Sequence, residues 1–155
     1  MVGAFTCNDA LIGTIRVIPM DRGLTPCESL LEQQSMLSAQ YYEESWEVGR
    51  LVLGPQYRSG PEALKRCLFL TLLHLMQTTD IKNLFASCSP LLARLYRRFG
   101  FSLLVKNACS KDGESYCLIH GNAPSVLMAL AGSKAEKDLA VQQLAFAVQQ
   151  LALAG

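Results

Sequence analysis

The chain has 155 residues, half of them apolar and 17% charged, which suits one globular domain and excludes a disordered chain. With 14 Lys and Arg against 13 Asp and Glu, the net charge is +1. That balance argues against a protein built to grip nucleic acid or an acidic membrane face.

The opening, MVGAFTCNDALIG, shows no charged leader followed by an apolar core, and the expectation is a soluble, cytoplasmic protein. ALIGTIRVIPM (10–20) alternates, is rich in β-branched residues and ends at Pro19, so it reads as a strand. Residues 21–45 are more polar and partly helical, with Thr25 as N-cap, Pro26 in the first turn and Glu28 three residues on. EVGRLVLG (47–54) is a second strand. The stretch SGPEALKRCLFLTLLHLMQTT (59–79) is then a helix, capped by Ser59 or Gly60 and opened by Pro61 and Glu62. It is apolar nearly all round, so it should lie on a sheet. Its longest apolar stretch, CLFLTLLHLMQTT (67–79), contains His74 and is too short to span a bilayer. KNLFASCS (82–89) is a third strand. PLLARLYRRFG (90–100) is a short helix, with Pro90 at its start and Gly100 at its stop. FSLLVKNA and SYCLIHG, joined by SKDGE, read as a closing hairpin.

This order gives an α/β domain over residues 1–122, with a mixed sheet whose middle strands run parallel. From Ala123 the composition changes. VQQLAFA is followed by VQQLALA, so Val141, Leu144, Val148 and Leu151 form a heptad stripe. Residues 123–155 are therefore expected to be a helical segment that docks on the domain or pairs with a second copy as a homodimer.

Six cysteines without a CxxC pair, and only two histidines, give no metal-ligand spacing. They read as small buried hydrophobes, with no metal and no Cys/His nucleophile. More unusual is SWEVGRLVLGPQYRSGPEA (45–63), which sets Glu47 and Arg50 at the mouth of an apolar strand. In a regular strand positions 47 and 50 face opposite ways, so they share a pocket only across a bulge. Gly49 is where a bulge costs least.

LLARLYRRFGF resembles the fourth-helix motif of the GNAT acyltransferase superfamily, and LVLGPQYRSGPEAL resembles its strand, phosphate loop and helix. GTIRVIPM, followed by WEVGRLVLGPQYR, is similar to one branch in particular. That branch comprises the acyl-homoserine-lactone synthases and long-chain N-acyl amino acid synthases. The likeness runs over about residues 10–120, and the superfamily's first strand and two helices have no counterpart in it.

The resemblance implies a GNAT-like splayed, mixed sheet flanked by helices, and transfer of a fatty acyl group from a thioester to an amine. The donor would be acyl-phosphopantetheine on an acyl carrier protein, or acyl-CoA; the acceptor would be an amino acid or similar small molecule. Glu47 would be the base, and Tyr96 the acid that protonates the leaving thiolate. Arg16 and Arg50 would position the acceptor carboxylate, the carrier or Glu47. Backbone N–H groups at Val52 or Leu53 would polarise the carbonyl. Arg58, Ser59 and Gly60 would hold the donor phosphate. Pro61 stands where the superfamily has a glycine and supplies no N–H, which favours the single phosphate of a carrier protein over a pyrophosphate. An acetyl-CoA-dependent GNAT acetyltransferase and a non-catalytic GNAT-like binding or oligomerisation module remain as alternatives.

Overall fold

The computed structural model describes residues 1–20, 22, 25–33 and 44–154. The remainder of the polar stretch between the first two strands read from the sequence lies outside the described residues. Six strands form one sheet in the order β1-β2-β3-β4-β6-β5. They are β1 (Val2–Cys7), β2 (Ala10–Pro19), β3 (Ser45–Leu53), β4 (Asn83–Cys88), β5 (Phe101–Lys111) and β6 (Glu114–Asn122). All neighbours are antiparallel except β3 and β4. The helices are α1 (Pro26–Gln33), α2 (Glu62–Thr78), α3 (Pro90–Arg97), α4 (Ala123–Leu130) and α5 (Lys134–Ala154).

Strand alternation divides the side chains between two clusters. Ile15 and Val17 of β2, Leu84 and Ala86 of β4 and Ile119 of β6 join α2, α3 and α4 in the main core. Phe85 and Leu118, from the intervening positions, pack with Met20, Cys27, Leu30 and Leu31 in a second cluster under α1. The sheet is therefore covered on both faces, one of them mainly by α2 and α4, the other by α1.

Strand β1 was not legible as a strand in the sequence. It joins β2 through Asn8 and Asp9, both left-handed (φ 50° and 64°), the conformation a two-residue hairpin turn with the sheet's own twist requires. Asp112 and Gly113 (φ 52° and 78°) do the same between β5 and β6. Ser89 caps α3 by accepting the Leu92 N–H, and Gly100 (φ 88°) ends it. The start of α2 departs from expectation. Pro61 itself occupies the N-cap, and neither Ser59 nor Gly60 supplies a side-chain cap.

The segment after residue 122 is continuous with the core. Val126, Leu127 and Leu130 of α4 are buried among α2 and sheet residues. Helix α5 opens with a capping box in which Ser133 Oγ accepts the Glu136 N–H while Glu136 Oε1 accepts the Gly132 and Ser133 N–H groups. It then docks through Ala140, Gln143 and Leu144, with Gln143 Nε2 donating to Met76 O at the end of α2 (3.1 Å). Of the heptad stripe only Leu144 packs; Val141, Val148 and Leu151 are exposed. Removing residues 148–155 should thus move the thermal midpoint by no more than ~2 °C, because it spares every docking residue. Cutting at residue 133 strips Ala140 and Gln143 and should destabilise the chain clearly. Thermal unfolding of the two truncations, with their mass in solution, checks this.

Candidate functional site

The central feature is a split in the sheet. β3 and β4 pair only at Ser45–Asn83, Trp46–Leu84 and Glu47–Phe85. Beyond that point β3 stays with β2 as far as Leu53, and β4 stays with β6 as far as Cys88. The two strands therefore diverge from Glu47 onwards. The β4-facing edge of Val48–Leu53 has no strand partner among the described residues, which leaves a row of backbone groups open to a ligand.

The divergence coincides with a bulge. Opposite β2, Thr14 pairs with Val52 and Arg16 with Gly49, so β3 carries one extra residue between them. That residue includes a left-handed backbone at Arg50 (φ 51°), one position after the glycine expected to host it. Val48 and Leu51 both pack on the main core although two residues separate them. The alternation has slipped by one, so Glu47 and Arg50 share the opposite face, that of α1. Arg16, between the main-core residues Ile15 and Val17, falls on the same face, beside Gly49 in the register. The three groups singled out in the sequence are thereby gathered on one surface. Arg16 Nε is buried with no hydrogen-bond partner among the described residues, while Arg50 is exposed.

Glu47 is buried at 4% exposure, the last β3 residue paired with β4. Its Oε2 accepts the N–H of Cys27 in the first turn of α1 (2.9 Å). The turn is fixed by the capping box read in the sequence: Thr25 N–H donates to Glu28 Oε2 (2.7 Å), and Glu28 N–H to Thr25 Oγ1 (3.2 Å). Among the described residues no other N–H or O–H donor reaches Glu47. Burial first, then the charge and hydrogen bonding of Glu47, push the Cys27 thiol far up from its ordinary value, so it stays S–H.

Tyr96 lies on the other side of the sheet, half-buried, its ring 5.5 Å from that of Phe101 and 6.2 Å from that of Phe99. Burial, and secondarily Cys88 at the end of β4, push the phenol up to about 12. The hydroxyl is thus protonated at neutral pH and sits near the diverging end of β4.

In the loop after β3, Val52 is exposed and Leu53 buried, and the Leu53 carbonyl accepts from Arg58 Nε (2.7 Å). Arg58 therefore braces the end of β3 through its Nε. Ser59 and Gly60 are exposed, and a methyl added at Gly60 would meet nothing within 4 Å. Helix α2 starts without a side-chain cap, so its first-turn N–H groups are available to an anion.

Two cavities flank these groups. One is apolar, under the split on the main-core side, lined by Val48, Leu72, Leu75, Leu84, Phe101 and Val126. The other is an open groove between β1, the start of α2 and the start of α5, with Phe5, Tyr57, Lys65, Arg66 and Ser133 on its walls. Neither contains Glu47. Among the described residues no cluster of His, Cys, Asp and Glu could hold a metal ion, and no helix is long and apolar enough to cross a membrane. The residue that sequence reasoning missed is Cys27. The only signal for it was its place in the first turn of a capped helix.

A model of the family described as N-acyl amino acid synthase FeeM matches residues 1–131. No curated protein matches the chain. Among solved structures, FeeM, an N-acyl amino acid synthase from uncultured soil microbes, is 20% identical with a TM-score of 0.56, over 77% of this chain and 68% of that one. The acyl-homoserine-lactone synthase LasI gives 14% and 0.60, over 81% and 66%. MesI, a CoA-dependent acyl-homoserine lactone synthase, gives 16% and 0.59, over 79% and 63%. The chain thus spans about two thirds of the length of these structures, and the likeness to them is one of fold.

Proposed function

Because this chain belongs to the FeeM family of N-acyl amino acid synthases, within the GNAT-like superfamily, we propose that it moves a fatty acyl group from a carrier thioester to the amine of an amino acid. The observation that carries this reading is the opening between β3 and β4 past Glu47, which suits the narrow pantetheine arm of a thioester donor.

The chemistry needs no enzyme nucleophile once amine and thioester are held in contact. Glu47 takes the proton of the ammonium, directly or through water, and the freed amine attacks the thioester carbon. The Leu53 N–H, which the register with β2 turns to the open edge of β3 while that of Val52 faces β2, polarises the carbonyl. The C–N bond forms and the C–S bond breaks. Tyr96, neutral at physiological pH, gives its proton to the departing thiolate and regains one, through water, from the newly acylated nitrogen. Arg16 and Arg50, on the same face as Glu47, orient the acceptor carboxylate. The unpartnered Arg16 Nε supports an anion at that place.

The donor phosphate belongs at the start of α2, beside Ser59 and Gly60, with Arg58 bracing the loop. With Pro61 at the N-cap the cradle lacks one backbone donor, which favours the single phosphate of phosphopantetheine on an acyl carrier protein. Coenzyme A is the second reading, favoured by Lys65 and Arg66 in the adjoining groove, where a nucleotide would fit. The exposed Val141, Val148 and Leu151 suit a homodimer seam.

The test is release of free thiol from acyl-carrier-protein and acyl-CoA thioesters, each with a panel of amino acids. Amine-dependent release is expected, faster from the carrier. Gly60→Ala should raise the donor KM without lowering the thermal midpoint, since the added methyl meets only a bound phosphate. No release from any donor would remove the proposal; equal or faster release from coenzyme A would move it to the second reading.

A further inference from the structure

We propose that Phe101, seated on the bare backbone of Gly121, is the positioning residue for Tyr96: its ring fixes the phenol at the diverging end of β4, where the departing thiolate takes a proton. This rests on the acyl-transfer reading above and adds to it the pair of residues that aim the acid. Among the described residues no hydrogen bond holds the Tyr96 hydroxyl, so ring packing places the side chain. The Phe101 ring lies 5.5 Å from it, centre to centre, tilted by 63° in the edge-to-face manner that aromatic pairs favour.

Phe101 is itself held by what Gly121 lacks. The two residues are partners across β5 and β6, and both are buried. A methyl group on Gly121 would lie 3.1 Å from Phe101 Cδ1, 3.2 Å from Cε1 and 2.6 Å from Val126 Cγ2. The flank of the ring and the side chain of Val126 therefore fill the space that any other residue at 121 would claim. Phe99 is the second ring beside Tyr96, at 6.2 Å, but its N–H donates to the Tyr96 carbonyl in the turn that ends α3, so it travels with the helix. Phe101 belongs to the sheet. It also lines the apolar cavity under the split together with Val48 of β3 and Leu84 of β4. One ring thus ties a helix-borne acid to the strands between which the thioester lies. A general acid works only within hydrogen-bond reach of the atom it protonates, so this tie bears on rate and not on donor affinity.

The test uses two thioester donors of the same fatty acid. Both carry the same phosphate-bearing arm, which ends in an alkyl thiol in one and an aryl thiol in the other. An alkyl thiolate needs a proton to leave, whereas the more acidic aryl thiol departs without help. Phe101→Leu should lower kcat for the alkyl thioester by about 3- to 10-fold, the worth of an aromatic pair, with both KM values unchanged. The aryl thioester should stay within about 1.5-fold. Tyr96→Phe should show the same selectivity with a larger loss. Adding Phe101→Leu to Tyr96→Phe should cost no further rate, since a residue that acts through another then has nothing to act on. Phe101→Met takes the place of Phe101→Leu if the latter does not fold. Equal slowing of both thioesters marks a packing role and overturns the proposal. So does a further loss in the double variant, or a Tyr96→Phe protein as fast as the unaltered one. Should the unaltered protein release no thiol from any donor, the acyl-transfer reading falls. The flip rate of the Tyr96 ring, read from NMR lines assigned by their loss in Tyr96→Phe, then decides alone whether Phe101 holds it. Faster flipping in Phe101→Leu upholds the contact, and an unchanged rate removes it.

Discussion

Glu47→Gln should lower amine-dependent thiol release by about 10²- to 10⁴-fold, the usual contribution of a positioned general base. The thermal midpoint should stay nearly where it was. The two expectations separate because Glu47 sits where a structural and a catalytic role overlap. The Cys27 N–H ends on Oε2, so the side chain acts as an acceptor for the first turn of α1 whatever else it does. Glutamine retains a carbonyl oxygen of the same reach and can keep that hydrogen bond, but it cannot take a proton from an ammonium. Glu47→Ala is the contrasting case. It strands the Cys27 N–H in a buried place, at a cost of about 1–3 kcal/mol, and both activity and stability should fall. Were Glu47→Gln to turn over at the original rate, Glu47 would be only a helix partner, and the base would have to be sought elsewhere.

That overlap marks the limit of what the sequence made legible. The Thr25-x-x-Glu28 box could be read locally because a capping box is a property of four consecutive residues. That its next N–H would land on a strand residue 20 positions away depends on how α1 lies over the sheet, and no local pattern carries that. The bulge shows the same division. Two like-facing functional residues three apart on a strand call for an irregularity, and Gly49 marked the neighbourhood. The left-handed backbone nevertheless falls on Arg50, a residue with no preference for it, because the register with β2 decides where the extra residue is taken up.

At the chain's two ends the pattern was weaker or misleading. In β1 the inward positions are Gly3 and Phe5 and the outward ones Val2 and Ala4, so burial alternates while hydropathy does not. The Asn8–Asp9 turn was its one clear sign. In α5 the seven-residue repeat drew attention to Val141, Val148 and Leu151, yet the docking face is Ala140, Gln143 and Leu144. A glutamine faces the core there because the Met76 carbonyl, near the end of α2, lacks an intrahelical donor and requires one from outside. Hydrophobic periodicity does not record such a need.

Arg50→Gly should lower kcat/KM for an amino-acid acceptor by about 10- to 150-fold, the loss of one hydrogen bond to a charged group, and leave stability within ~1 kcal/mol. Stability should hold because two effects oppose each other. Glycine adopts φ 51° without the strain that a side chain carries, which relieves about 1 kcal/mol or more. It also enlarges the freedom of the unfolded chain, which takes back ~0.4–1 kcal/mol. The exposed guanidinium, by contrast, has no compensating loss, since its only assigned task is to meet the acceptor. The effect should therefore follow the acceptor's carboxylate. An amine of the same shape without that group should react equally slowly with the unaltered protein and with Arg50→Gly, and the donor KM should be the same in both. Arg50→Lys keeps the charge but not the forked geometry and should fall between them. If both acceptors lost rate alike, Arg50 would act on the donor or on Glu47. A marked drop in thermal midpoint would instead make the side chain part of what holds the bulge, and with it the opening between β3 and β4.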